Sequence, residues 1–149
     1  MEISKSRKNN KILIIAAHPD DEVLGCGGLI AKYKNKSKIQ VIFLTDGVSS
    51  RKKNNKQMGL RKKECLKLFH FLNLNKPILY NFPDNKLDSI PLLNIVKKIE
   101  TVIKKFKPNL VFTHYENCLN IDHKIAFQAT ITACRPLKKY SFIKEIISF

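Results

Sequence analysis

Residues 11–17 read KILIIAA, an unbroken apolar run rich in β-branched side chains. A strand that is apolar at consecutive positions has no face for water, and a parallel sheet covered on both sides is the architecture that buries it. Similar short runs recur at 39–45 (IQVIFLT), 77–82 (PILYNF), 109–113 (NLVFT) and 142–148. The segments between them carry apolar residues at helical spacing. The spacing predicts helices from His18–Glu22 through about Tyr33, over 57–72, over 91–106 and over 122–134. The third is the clearest: Leu92, Ile95, Val96, Ile99, Val102, Ile103 and Phe106 form one stripe, Pro91 suits its first turn and Pro108 ends it. Gly25, Gly27, Gly28 and Ala31 predict close packing of the first helix.

This β-α alternation predicts an α/β fold, a Rossmann-like three-layer α/β/α sandwich with a mainly parallel sheet of about five strands. Right-handed crossovers leave few topologies, and the order 3-2-1-4-5 is expected. The first and fourth strands are then neighbours where the winding reverses, and ligands bind at the carboxyl ends of the strands there. Residues 1–10 are polar and basic and read as a flexible N-terminal segment, with one domain over 11–149. Residues 49–56 (SSRKKNNK) read as a mobile loop.

Composition narrows the function classes. A chain of 149 residues suits one domain with a sizeable core. Its apolar runs are far shorter than the roughly 18 residues that span a bilayer, so no transmembrane segment is expected. The formal net charge is +16, from 28 basic and 12 acidic residues. Twenty-four of the basic residues are Lys and only four are Arg (Arg7, Arg51, Arg61, Arg135). Sequence-specific DNA readers favour Arg forks, so the surplus reads as a solvated surface that attracts anionic substrates or membrane surfaces, and no specific nucleic acid is expected. Cys26, Cys65, Cys118 and Cys134 form no C-x-x-C pair and read as small core hydrophobes of a reduced, cytoplasmic protein. A basic start, a short apolar run and Leu24-Gly25-Cys26 imitate a lipoprotein signal, but His18, Asp20, Asp21 and Glu22 interrupt it.

The chemistry sits at two strand ends. The first run leads directly into His18-Pro19-Asp20-Asp21-Glu22, more acids than a helix cap requires. The fourth leads into Thr113-His114, and Asn120-Ile121-Asp122-His123 opens the next helix. His18, Asp21 and His123 together make a facial His-Asp-His set, and three N/O donors with an open position suit a catalytic zinc site. Asp20 is left beside it as a candidate general base. The Gly25–Gly28 stretch lacks G-x-G-x-x-G spacing, which argues against a dinucleotide binder. A nucleotide-binding or nonspecific nucleic-acid-binding α/β domain is the remaining alternative; the latter would show steep salt dependence.

Ala17-His18-Pro19-Asp20-Asp21-Glu22 followed by Gly25-Cys26-Gly27-Gly28 resembles the signature of the PIG-L/LmbE-like family of zinc-dependent N-deacetylases. Thr45-Asp46-Gly47, Arg61-Lys62-Lys63-Glu64, Phe82-Pro83-Asp84-Asn85-Lys86-Leu87 and Asn120-Ile121-Asp122-His123 are similar to its later motifs, in order. The resemblance implies hydrolysis of the acetamido group of an N-acetylglucosamine-type conjugate, with Zn²⁺ as cofactor; Fe²⁺ suits the same donors. It implies His18, Asp21 and His123 as metal ligands and Asp20 as general base. Arg61 and Asp84 fall where the family contacts substrate, and Asp46 is a pocket wall or a turn residue. Many members have His where this chain has Asn120, so His114 or Asn120 is expected to take over oxyanion stabilisation or leaving-group protonation. Members usually continue past the closing strand. That difference implies a shortened enzyme, a homo-oligomer that completes the pocket, or a metal-binding domain without catalysis.

Overall fold

The computed structural model describes residues 10–50 and 55–149. Five strands form one sheet in the order β3-β2-β1-β4-β5. They are β1 (Lys11–Ala16), β2 (Lys38–Thr45), β3 (Ile78–Phe82), β4 (Leu110–Thr113) and β5 (Glu145–Ser148), and every pairing is parallel. The helices are α1 (Asp21–Tyr33), α2 (Asn55–Phe71), α3 (Leu92–Phe106) and α4 (Ile121–Ala133). The expected order is therefore present, with β1 central between β2 and β4.

Both faces of β1 are dry. Leu13, Ile15 and Ala17 pack into a core with α3 and α4, while Ile12, Ile14 and Ala16 pack into a second core with α1 and α2. Alternate residues of one strand feed both layers, which is why the strand reads as continuous rather than alternating. Ile95, Val96, Ile99, Val102 and Ile103 carry the α3 stripe into the first core. Ile99 is wholly buried, and truncation to Ala there costs about 2–5 kcal/mol. Leu92, expected in that stripe, is the first residue of α3 and is 37% exposed. Lys107 closes α3 in the left-handed conformation, and Pro108 follows.

Three expectations need correction. Asn10, placed by the sequence in a flexible segment, is buried and fastened by hydrogen bonds to Lys38 and Asn109; residues 1–9 lie outside the described residues. Within the expected loop 49–56, α2 already begins at Asn55, Ser49 and Ser50 are hydrogen-bonded to Asp84, and residues 51–54 lie outside the described residues. Of the α1 glycines only Gly25 meets a close neighbour. A Cβ there would enter the ring of Phe149, whereas Gly28 faces open space.

Candidate metal centre

The carboxyl ends of β1 and β4 deliver three of the chain's four histidines to one place. The turn after β1 is built by its own acids. The Asp21 carboxylate accepts the His18 N–H at 2.7 Å, and the Glu22 carboxylate accepts the Asp20 N–H at 3.1 Å. Asp20 itself makes no side-chain cap on α1. Its backbone sits at φ 153° and ψ −26°, a conformation that costs a non-glycine residue ~1–3 kcal/mol. Gly47, at φ +67°, lies against this turn, and a Cβ on it would stand 2.9 Å from Pro19 Cδ.

His18 is the hub. Its Nδ1 lies 3.2 Å from Asp21 Oδ2 and 3.3 Å from His123 Nε2, and His123 Nε2 lies 3.5 Å from Asp21 Oδ1. Donor atoms held ~2.0–2.1 Å from a tetrahedral ion stand ~3.3 Å apart, and in this triangle the two ring nitrogens and one or the other Asp21 oxygen lie at about that spacing. The other edge of the ring has a different environment. His18 Nε2 lies 3.1 Å from both Asp122 Oδ2 and Asp84 Oδ1. Asp122 is fully buried and also accepts the N–H groups of Asn85 (2.7 Å) and Leu87 (3.0 Å). A second grouping, His18 with Asp84 and Asp122, is thus also close enough to hold a cation. The first is the better site. With Nε2–H donated to the anchored Asp122, Nδ1 is left with its lone pair towards Asp21 and His123, the usual carboxylate–histidine–metal arrangement.

The metal-free electrostatics follow from this crowding. Burial disfavours a charged His18, but hydrogen bonds to Asp122 and Asp21 outweigh it and raise the ring to about 10. Burial would lift Asp21, yet the contacts with His123 and His18, including the His18 N–H, hold it far below the carboxylate range. Asp122 is likewise lowered: burial opposes the charge, and His18 with the Leu87 and Asn85 N–H groups prevails. Burial pushes Glu22 up to about 7.

The remaining predicted residues are placed as follows. Asp20 is exposed and ion-paired with Arg61 at 3.2 Å. Arg61 therefore reaches the candidate base. Asp46 Oδ1 accepts the N–H groups of Val48 and Ser49, both at 2.9 Å, which makes it a turn residue, and it also lines a cavity of about 600 Å³. That cavity runs beside the triangle rather than through it, bounded by Pro19, Ser49, Asn55, Lys62, Tyr80 and Lys86 among others. Asn120 caps α4: its Oδ1 accepts the Asp122 N–H at 2.8 Å. His114 is 3% exposed, stacks on His123 at 3.8 Å, and packs against Phe149. Its Nε2 accepts the Ala17 N–H at 2.9 Å, and burial lowers its pKa, so the ring is neutral. The 3.4 Å approach of this Nε2 to Asp21 is then a meeting of two acceptors.

Two site residues were missed by sequence reasoning. Asp122 was visible only as part of a motif; its contact with His18 spans 104 positions. Cys118 was expected in the core, as the other three cysteines are, but it is partly exposed, with Sγ 3.2 Å from His123 Nδ1. Its thiol is held below its ordinary value by the Asn120 N–H, with burial opposing and His123 assisting.

With this geometry in place, four matches to known proteins bear on the chain. The family model described as GlcNAc-PI de-N-acetylase (PIG-L) matches residues 13–134. YaiS of Escherichia coli (strain K12), an uncharacterized deacetylase, is 29% identical over 91% of this chain and 74% of its own length. The conserved protein TT1542 from Thermus thermophilus superposes with a TM-score of 0.74 at 27% identity, covering 93% of this chain and 64% of that one. N,N′-diacetylchitobiose deacetylase from Pyrococcus horikoshii superposes at 0.73, over 87% of this chain and 50% of its own; at 24% identity it shows the fold. The chain thus spans less than two thirds of these two solved structures. No helix among the described residues is long and apolar enough to cross a membrane. The chain belongs to the PIG-L family.

Proposed function

We propose that this PIG-L family member is a metal-dependent N-deacetylase that hydrolyses the acetamido group of an N-acetylated amino-sugar conjugate. The triangle of His18, Asp21 and His123, with separations of 3.2, 3.3 and 3.5 Å, is the observation that carries the reading. It suits Zn²⁺ by donor type and spacing. When bound, the ion supplies an acidified water nucleophile and positive charge for the oxyanion of the attacked amide.

The chain's own residues do the rest. Asp122 holds the His18 ring through Nε2. Asp20, exposed at the mouth and steadied by Arg61, accepts the proton of the attacking water. It then returns that proton to the departing amine. This second duty falls to Asp20 because His114 is buried with Nε2 engaged by Ala17, and the Asn120 carboxamide oxygen caps α4. The strained Asp20 backbone aims its carboxylate outward instead of onto α1. The flanking cavity receives the conjugate's remaining portion, and Lys62 and Lys86 on its wall suit an anionic one.

The test is zinc titration together with acetate release from N-acetylglucosamine conjugates. Asp20→Asn should keep the zinc affinity and lose about 10²–10⁴-fold in rate. Full activity in that variant removes Asp20 as base, and a wild-type chain that binds zinc but never releases acetate supports a metal-binding domain without catalysis.

A further inference from the structure

We propose that Cys118 is a positioning residue for His123: its sulfur accepts the Nδ1–H of the ring and so turns Nε2 towards Asp21 and His18. The inference rests on the reading of His123 as a metal ligand. Stacking on His114 at 3.8 Å and an interplanar angle of 15° fixes the plane of the His123 ring. Stacking does not choose which edge faces the site, because a half-turn of the ring within the same plane exchanges a nitrogen for a carbon on each side. Cys118 Sγ, 3.2 Å from Nδ1, makes that choice. It also makes the tautomer choice, since a ring that offers the Nε2 lone pair must carry its proton on Nδ1. The sulfur sits on the edge of the ring opposite Nε2, so it orients the ligand rather than joining the coordination shell.

Cys118 is well placed to act through orientation alone. It lies in the connection between β4 and α4, its N–H bonded to the Tyr115 carbonyl at 3.2 Å, and it is the only one of the four cysteines that is not buried. Partners that orient metal-bound histidines change metal affinity about 10–100-fold when removed.

The experiment compares Cys118→Val, which keeps the volume and removes the acceptor, with Cys118→Ser, which keeps an acceptor. Zinc affinity is measured by competition with a chromophoric chelator, and His123→Ala serves as the reference for loss of the ligand. Cys118→Val should bind zinc about 10–100-fold more weakly, with the metal-free melting temperature unchanged, and Cys118→Ser should recover most of that loss. In zinc-loaded wild type and Cys118→Ser, the His123 Nδ1–H should give an exchange-protected proton resonance that Cys118→Val lacks. Wild-type affinity in Cys118→Val, or equal losses in both variants, overturns the proposal. Wild-type affinity in His123→Ala overturns instead the reading of His123 as a ligand.

Discussion

At the lower end of the seam between β1 and β4, every polar group of Asn109 has a hydrogen-bond partner. Asn109 Oδ1 accepts the Lys11 N–H at 2.7 Å, its Nδ2 donates to Asn10 at 2.9 Å, and its carbonyl accepts the Lys144 N–H at 2.8 Å. A single neutral residue thereby ties the starts of β1, β4 and β5 through its side chain and its backbone. At the upper end the match fails. Asp21 Oδ2 lies near the His18 N–H, His18 Nδ1 and the acceptor Nε2 of His114, while two carboxylates converge on His18 Nε2. The surplus there is of lone pairs, which a cation satisfies and a hydrogen bond does not. The lower end is arranged for stability and the upper end for binding.

The sharpest way to break this contrast is His18→Ala. Loss of a ligand should exceed the 10–100-fold typical of outer partners, so zinc affinity should fall by more than about 100-fold, with the far-ultraviolet spectrum unchanged. A variant that binds like wild type dissolves the distinction. Asn109→Ala makes the opposite prediction. It leaves buried partners unpaired at about 1–3 kcal/mol each, so urea unfolding should show a loss of about 2–4 kcal/mol, with zinc affinity unaltered.

The third test uses protons. Metal-free His18 titrates near 10, and a metal ion on Nδ1 must displace a proton below that pH. Zinc affinity should therefore rise about tenfold per pH unit between pH 7 and 9, with about one proton released per ion in calorimetry across buffers. A flat pH profile would mean that His18 is already neutral. The smallest expected effect is at Glu22, raised to about 7 by burial. Between the ordinary glutamate value of 4.5 and about 7 the folded protein holds a proton that the unfolded chain has lost, so stability falls as pH rises through this window. Glu22→Gln should stabilise the metal-free protein by about 1–2 kcal/mol at pH 8 and by almost nothing at pH 4.

The strands were legible because burial on both faces keeps β1 and β4 apolar except at Lys11 and Thr113, and the α3 stripe was legible for the equivalent helical reason. The hidden parts are those fixed by distant partners. Nothing near Gly25 announces that Phe149 packs onto it while Gly28 has open space. Asp84 reads as a substrate contact from its motif, yet its carboxylate faces His18. Asn120 reads as a stand-in for a catalytic histidine, and its local role as the cap of α4 was equally visible in the residue type. The short 3₁₀ turn at Leu87–Ser89, whose first N–H is held by Asp122, has no periodic signal.

The conformation of Asp20 has a practical consequence for anyone who wants the ligand rather than the reaction. Glycine occupies φ 153° without the steric penalty that aspartate bears there. Asp20→Gly should therefore trade the proton acceptor for a sturdier chain. On the proposed function, the product would be a bait that retains an acetylated conjugate from a cell extract without consuming it, ready for identification by mass.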